Sequence, residues 1–365
     1  MFDGFELSRA RVNGVDINFR VKNNNDASGN AILFLHGFPQ THAMWAGIAD
    51  KFPESYPIIC SDLRGYGNSE KPRGAENFSF RHMAEDQFQL MSYLGFEKFH
   101  IVGHDRGGRV AHRMALDDTD RIKTITLMDI VPTELLLSEL TTQVAQSYYH
   151  WLFLAQPSPF PEKLISADPD YFYESCLLGW GAASLDGFER EKLSQYRKSW
   201  NNLDTIRAMC DDYRAAIHFD WALDKVDKNR CLEIPACVMW GKTGAMAQHF
   251  DVPTTWSKNF SNIEKKNYKA FASEHAAISS SGKNRKYWVD IGNYNSIEYY
   301  NDEHLRNREM DDLYPDDKKW SWDWDLESNR KIFENKRIRA DQLELFATFS
   351  VGALVLNHLI SSIDA

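Results

Sequence analysis

The chain has 365 residues, of which 43% are hydrophobic, and its formal net charge is -10 at pH 7. A chain of this length and composition can bury a sizeable core, as one large domain with insertions or as two domains. The acidic balance and the dispersed basic residues exclude the electrostatic footprint of a nucleic-acid-binding protein. A small anionic substrate would therefore have to be held by locally placed arginines.

The cysteines argue against a disulfide framework and against a metal centre. The chain has an odd number of them, with no CxxC spacing: Cys60, Cys176, Cys210, Cys231 and Cys237. Neither a disulfide-stapled fold nor a zinc site is predicted from this pattern. The same cysteine pattern fits a reducing, cytoplasmic location. Residues 1–14 lack a basic segment followed by an apolar one, so no secretory signal is predicted.

Apolar runs bounded by turn residues recur along the first third of the chain. They predict strands at 15–21, 31–37, 56–62, 98–103 and 122–129. Between the third and fourth runs, residues 81–95 have the apolar spacing of a helix. Strands that alternate with helices require crossover connections, so the predicted class is α/β with a mostly parallel twisted sheet flanked by helices.

The pattern changes twice further along the chain. Residues 133–221 are aromatic-rich and helical in spacing, which predicts a helical cap inserted after the sixth strand and lying over the carboxyl edge of the sheet. One more strand pattern follows at 233–241, and beyond about residue 266 the chain becomes polar and rich in Trp and Asp. The predicted organisation is an α/β core of 1–132 and 222–275, a cap of 133–221, and a divergent extension of 276–365.

Asp105 lies between Gly103 and Gly107, directly after a predicted strand and before a helical pattern. A tight strand-to-helix elbow strains its central residue and needs small neighbours, and it lifts the central side chain above the sheet. An isolated G-x-D-x-G would fit an ordinary turn equally well. The segments HGFP (36–39) and DLRGYGNS (62–69) follow two other predicted strands, however, and all three together indicate an α/β-hydrolase with Asp105 as its nucleophile.

Several longer segments resemble the haloacetate (fluoroacetate) dehalogenase family of α/β-hydrolases. They are HGFPQTHAMW (36–45), GHDRGGR (103–109), LMDIVPT (127–133), YHWLFLAQP (149–157), MCDDYRAA (209–216) and WGKTGAMAQ (240–248). The resemblance extends to about residue 266. It implies a hydrolase that acts on carbon–halide bonds without a metal or an organic cofactor.

An aspartate at the elbow predicts attack on a saturated carbon and an alkyl ester on the enzyme. Water would then attack the ester carbonyl, and the backbone N–H groups of Phe38 and Arg106 would stabilise the oxyanion. Arg106 and Arg109 lie one helical turn apart, so both can hold one substrate carboxylate. The alternative is that these arginines pair with acids such as Asp117 or Asp118.

The family resemblance implies that His150, Trp151 and Tyr213 receive the departing halide, whereas plain packing is their alternative role. Asp129 ends the strand in LMDIVPT, from which an acid can orient a catalytic histidine; capping is its alternative role. The family's Gly-His-aromatic motif for that histidine has no counterpart after residue 104. His275 is the nearest candidate base, with an incidental surface position as the alternative.

The predicted reaction is hydrolytic dehalogenation of short 2-haloacids, converting a haloacetate to glycolate and halide. Two alternatives remain: an epoxide hydrolase, and a noncatalytic hydrolase-fold protein that binds a small carboxylate. A homodimer is compatible with the sequence, which does not determine the oligomeric state. Residues 345–363 carry no charge and are close to the length needed to span a bilayer, so they predict either a membrane anchor or a buried terminal helix.

Overall fold

The computed structural model describes most of the chain, namely residues 1–22, 31–179, 184–241, 244–261, 276–278, 283–315, 317 and 319–338. The chain divides into two compact units, one built on Met1–Ile263 and the other on Glu264–Thr348. This boundary lies earlier than the predicted end of the core at residue 275.

A seven-stranded sheet organises the first unit. The strands are β1 Glu6–Val12, β2 Val15–Lys22, β3 Ile32–Leu35, β4 Ile58–Ser61, β5 Phe99–His104, β6 Ile122–Met128 and β7 Ala236–Met239. Their order across the sheet is β1-β2-β4-β3-β5-β6-β7. The strands from β4 to β7 pair in parallel, whereas β1 and β2 are antiparallel to their neighbours. The predicted mostly parallel sheet is confirmed.

In the sequence, the helices of the first unit come between these strands or after the last of them. They are α1 Ala46–Ala49, α2 Phe80–Tyr93, α3 Arg106–Asp117, α4 Thr133–Ser138, α5 Thr142–Ser147, α6 Tyr149–Leu154, α7 Phe160–Ile165, α8 Pro169–Leu177, α9 Arg190–Trp200, α10 Leu203–Ala215, α11 Trp221–Asp227, α12 Ala245–His249 and α13 Val252–Asn259. The helices α4 to α11, here called the helical insertion, follow β6 and precede β7. An insertion after the sixth strand is therefore confirmed.

The burial of the central strands explains why apolar runs in the sequence predicted them. Every residue of β3 and of β4 is buried, as expected for parallel strands covered by helices on both faces. The edge strand β1 was not predicted. Its sequence ELSRARV is largely polar and most of its residues are exposed or half-buried, so it carries little apolar signal.

The second unit has its own aromatic core. Its helices are α14 Arg285–Asn293 and α15 Ile297–Arg306, and residues 327–338 are also helical. The core includes the buried rings of Tyr287, Trp288, Tyr300, Trp322 and Phe333. None of the helices that the structure describes has the length and apolar character needed to cross a bilayer. The predicted anchor at 345–363 lies outside the described residues.

Candidate active site

Asp105 occupies the turn between β5 and α3 in a backbone conformation that side chains rarely adopt. Its φ is 45° and its ψ is −114°. The turn passes so close to its neighbours that a Cβ on Gly103 would collide with the carbonyl group of Gly107, and one on Gly107 would collide with the carbonyl oxygen of Leu35. The two glycines are therefore required by the close approach of backbone segments, as the elbow prediction assumed.

The Asp105 carboxyl group is buried among groups that favour its charged form. Oδ2 accepts a hydrogen bond of 2.9 Å from the backbone N–H of Phe38. Burial raises the pKa of Asp105, but the charges of His104, Arg109 and Arg106, together with the Phe38 N–H, hold it below its ordinary value. Asp105 is therefore a carboxylate at neutral pH, which is the form that a nucleophile needs.

A cavity of about 750 Å³ within the first unit opens onto this carboxylate. Five of the predicted site residues contribute to its wall: Phe38, Asp105, Asp129, His150 and Trp151. Arg106, Arg109 and Tyr213 are not part of the wall. They are buried side chains that contact the wall residues, and their contacts decide what they can offer to a substrate.

Arg106 has no exposed surface and pairs with Asp212 of α10. Its Nε donates a hydrogen bond of 2.9 Å to Oδ2 of Asp212, and its Nη2 donates to Oδ1 and to the Asp212 carbonyl oxygen. Nη1 is buried and has no hydrogen-bond partner among the described residues. Although burial lowers it, the neighbouring charge of Asp212 raises the pKa of Arg106 above its ordinary value, so the guanidinium is always charged. The predicted alternative partners of this arginine, Asp117 and Asp118, do not contact it.

Arg109 is also almost fully buried and is held by the segment after β6. Its Nη1 donates hydrogen bonds of 3.0 Å to the Val131 carbonyl oxygen and to the Thr133 hydroxyl. Nε is buried without a hydrogen-bond partner in the described part of the chain. The guanidinium carbon lies 4.7 Å from the centre of the Trp151 ring. Burial lowers the pKa of Arg109, while the charge of Asp105 raises it. Among the described residues, no acidic side chain is hydrogen-bonded to Arg109.

The three predicted halide ligands form one aromatic cluster with Phe38. The His150 ring is stacked on Phe38 with centroids 5.9 Å apart, and Tyr213 meets the edges of His150 and Trp151 at 5.7 and 5.2 Å. Burial lowers the pKa of His150 to about 4, so its imidazole is neutral at pH 7. The hydroxyl of Tyr213 is fully buried and has no hydrogen-bond partner among the described residues.

Asp129 follows β6 and lines the cavity, and its φ of 56° sets it in a second strained turn. Its backbone N–H donates a hydrogen bond of 2.8 Å to the Met239 carbonyl oxygen at the end of β7. Asp105 and Asp129 thus follow neighbouring parallel strands at the same edge of the sheet. His275, the predicted base, lies outside the described residues.

The sequence analysis assigned no role to three residues that contribute to this site. Asp212 stands next to Tyr213 in MCDDYRAA, and only its pairing with Arg106 reveals its place. His104 precedes Asp105, lines the cavity and has the largest effect among the charges that lower the pKa of Asp105. Tyr148 lines the cavity two residues before His150, and adjacency to the matched motif was the only sequence signal for it.

The described residues contain no group of three or more His, Cys, Asp or Glu side chains arranged to hold a metal ion. What they do bring together is an ionised carboxylate, two buried guanidinium groups and a cluster of ring donors. Such a set can hold a small organic anion, attack an electrophilic carbon and receive a leaving anion.

Comparison with known proteins gives one family and several relatives. A family model for the α/β hydrolase fold matches residues 30–280. The chain is 48% identical over 266 residues to a fluoroacetate dehalogenase from a Burkholderia species, a match that covers 72% of this chain and 86% of that protein. It is 29% identical to a soluble epoxide hydrolase from Corynebacterium sp. (strain C12), over 70% of this chain and 86% of that protein. A solved structure of a putative α/β hydrolase from Nostoc sp. PCC 7120 matches with a TM-score of 0.69 and 39% identity, over 72% of this chain and 90% of the other.

Proposed function

The chain belongs to the α/β-hydrolase family and, within it, to the fluoroacetate dehalogenase family, and on that premise we propose that it hydrolyses the carbon–halogen bond of short 2-haloacids. A haloacetate such as fluoroacetate would be converted to glycolate and halide. The observation that carries the proposal is the Asp105 carboxylate, buried and held ionised at the wall of the cavity, with one oxygen bound to the Phe38 N–H.

The two carboxylate oxygens of Asp105 have different surroundings, which suits a two-step reaction. Oδ2 is bound to the Phe38 N–H, whereas no hydrogen bond from the described residues reaches Oδ1. In the first step Oδ1 attacks the substrate carbon that carries the halogen. A carbon–oxygen bond forms, the carbon–halogen bond breaks, and its electron pair leaves with the halide.

The same geometry serves the second step. In the ester, Oδ2 is the carbonyl oxygen and already faces the Phe38 N–H. Water attacks Cγ of Asp105, and the negative charge that develops on Oδ2 is stabilised by this N–H, with the backbone N–H of Arg106 as the predicted second donor. Collapse of the intermediate releases the hydroxyacid and restores the carboxylate.

The buried donors around the site fit an anionic substrate and an anionic product. Nη1 of Arg106, Nε of Arg109 and the Tyr213 hydroxyl are buried and lack hydrogen-bond partners within the described residues. Leaving a buried donor unsatisfied costs about 1–3 kcal/mol, so three such groups around one carboxylate call for an explanation. A haloacid would supply it: its carboxylate would accept from the arginines, and the departing halide would accept from the ring donors.

The second step also needs a base that removes a proton from water. We assign that role to a histidine oriented by Asp129, for which His275 is the candidate in the sequence. His150, which lines the cavity, is kept neutral by burial and stacks on Phe38. A neutral imidazole in this position suits a hydrogen-bond donor to halide.

An epoxide hydrolase is the second candidate. The cavity of about 750 Å³ is much larger than a two-carbon acid requires and has room for a neutral epoxide. The Corynebacterium relative has that printed activity. Two guanidinium groups beside Asp105 favour an anionic substrate instead, because a buried charge gains most from an opposite charge.

A direct test supplies the full-length protein with fluoroacetate, chloroacetate and a neutral epoxide, and follows halide and diol release. Sustained halide release is expected, and it should be lost in Asp105→Asn. Under single-turnover conditions in ¹⁸O-labelled water, the label should enter the carboxyl group of residue 105. Diol formation without halide release would select the epoxide hydrolase. One burst of halide without turnover would instead indicate a protein that lacks its base.

A further inference from the structure

Arg106 is fixed by an acidic side chain that the proposed reaction does not use. Asp212 on α10 accepts from Nε of Arg106 at 2.9 Å through Oδ2 and from Nη2 through Oδ1. The Asp212 carbonyl oxygen accepts a further hydrogen bond of 3.0 Å from Nη2. One residue therefore occupies two of the three nitrogens of the guanidinium group.

Asp212 is itself held in place from another part of the fold. The Tyr66 hydroxyl donates a hydrogen bond of 2.6 Å to Oδ2 of Asp212. Tyr66 belongs to the DLRGYGNS segment that follows β4, and neither side chain has exposed surface. The orientation of Arg106 thus depends on a chain of contacts from the loop after β4, through α10 of the helical insertion, to the start of α3.

Three aromatic rings pack against the guanidinium group. Its central carbon lies 4.5 Å from the ring centre of Phe80, 4.5 Å from that of Tyr213 and 5.1 Å from that of Trp151. Rings at these distances attract the cation, and the Arg106 side chain has no surface exposed to solvent. Because water cannot replace Asp212, the guanidinium group cannot readily turn within its site.

Stability alone does not explain such a pair. Removing two charges from water costs several kcal/mol per ion, and a buried ion pair often stabilises a fold no better than apolar residues of the same volume. A role in orienting one partner is the better-supported use. Here the partner is the arginine that follows the nucleophile.

We propose that Asp212 is a positioning residue that locks Arg106 through Nε and Nη2, so that Nη1 alone is presented to the carboxylate of the substrate. The inference rests on the proposed function, since it concerns how the same site holds its anion. Arg106 then binds the carboxylate through one nitrogen rather than through a two-pronged contact. Asp212 also precedes Tyr213 on α10, so one helical turn sets both the carboxylate-binding arginine and a halide donor.

Positioning and simple electrostatics predict opposite effects for one substitution. Asp212→Asn removes a negative charge beside Arg106, so charge alone would make a bound carboxylate more stable. If Asp212 positions the guanidinium group, the same substitution frees it to turn and weakens carboxylate binding. The sign of the change separates the two explanations.

The test measures the binding of acetate, the substrate without its halogen, to the full-length protein by ligand-observed NMR. We expect Asp212→Asn to weaken acetate binding by about tenfold, the loss of one well-placed charge-assisted hydrogen bond. Tyr66→Phe removes one hydrogen bond without leaving an unpaired charge, and it should weaken binding by about threefold. In an Arg106→Gln background, adding Asp212→Asn should change acetate affinity by less than about twofold, because the effect passes through Arg106.

Asp86→Asn is the matched control. Asp86 binds Arg64 through the same two nitrogens in another buried pair. The third nitrogen of Arg64, Nη1, donates to the Asn77 carbonyl oxygen rather than being left for a ligand, so loss of Asp86 should leave acetate affinity unchanged. Tighter or unchanged binding in Asp212→Asn, or an equal loss in Asp86→Asn, would overturn the proposal. So would a wild-type protein that binds no acetate. Acetate binding that depends on Asp212, in a protein that never releases halide, would support this inference and reject the proposed function.

Discussion

The backbone N–H of Phe38 and Oδ2 of Asp105 lie 2.9 Å apart, across 67 residues of sequence. This contact joins the loop after β3 to the elbow after β5, two strands that are neighbours in the sheet. It turns one oxygen of the carboxylate towards a donor before any substrate arrives. In the proposed reaction the other oxygen attacks the substrate, and the following expectations depend on that division.

The ester-forming step should be insensitive to pH over the neutral range. The folded pKa of Asp105 lies below its ordinary value of about 3.9, so the proposed nucleophile stays ionised until the pH falls below about 4. The pKa of His150 is lowered to about 4 by burial, so this ring also stays neutral above that pH. Rapid-quench measurement of ester formation should therefore give a constant rate from about pH 8 to pH 5. A decline centred near pH 6 would show that an ordinary histidine controls the step.

Tyr213→Phe should reduce defluorination more than debromination. Fluoride is the poorer leaving group and the stronger hydrogen-bond acceptor, so the loss of one donor is expected to lower kcat for fluoroacetate by about 10- to 100-fold. The effect on bromoacetate should be several times smaller. Because the Tyr213 hydroxyl has no partner among the described residues, its removal should not lower the Tm.

Tyr173→Phe is the control for that substitution. Tyr173 is also fully buried, and its hydroxyl likewise has no hydrogen-bond partner in the described part of the chain. Its ring packs on Phe38, Phe172 and Trp200. The Tyr213 ring instead packs on His150, Trp151 and Arg106, the groups proposed to bind the anions. The ratio of fluoroacetate to bromoacetate turnover should be unchanged in Tyr173→Phe. Equal losses on both substrates in Tyr213→Phe would argue against a halide contact.

His275→Ala should separate the two chemical steps if His275 is the base. The expected result is one burst of halide per protein molecule, followed by a persistent ester on Asp105 that mass spectrometry of the elbow peptide detects. His304→Ala provides the comparison, since His304 lies on α15 of the second unit beside Glu309. Continued turnover in His275→Ala would place the base elsewhere.

Gly107→Ala should destabilise the first unit, because the added methyl group would collide with the carbonyl oxygens of Leu35 and His36. Overpacking of this kind costs about 1–3 kcal/mol, which urea unfolding can measure. Gly47→Ala in α1 is the control: its Cβ would lie 3.4 Å from the nearest atom, Lys192 Nζ, which can move. That variant should be as stable as wild type or more so, by up to about 1 kcal/mol. Equal stabilities of the two variants would mean that the elbow tolerates a side chain.

The elbow and the central strands could be predicted because their signals are local. Gly103 and Gly107 flank Asp105 because backbone segments meet there too closely for side chains. This steric requirement produces a glycine pattern that can be recognised within a five-residue segment of the sequence. The apolar runs of β3 and β4 are equally plain. The edge strand β1 was not predicted because most of its residues are polar and exposed or half-buried, so its sequence lacks an apolar run.

The sequence by itself determined which side chains could carry the chemistry: an elbow carboxylate, two arginines one turn apart and a set of ring donors in matched motifs. Only the tertiary structure decided which atoms of those side chains remain available. Asp212 takes Nε and Nη2 of Arg106 from 106 residues away, and Val131 and Thr133 take Nη1 of Arg109. Burial makes each polar group seek a partner, and which partner it finds depends on the packing of distant segments, which no local pattern encodes.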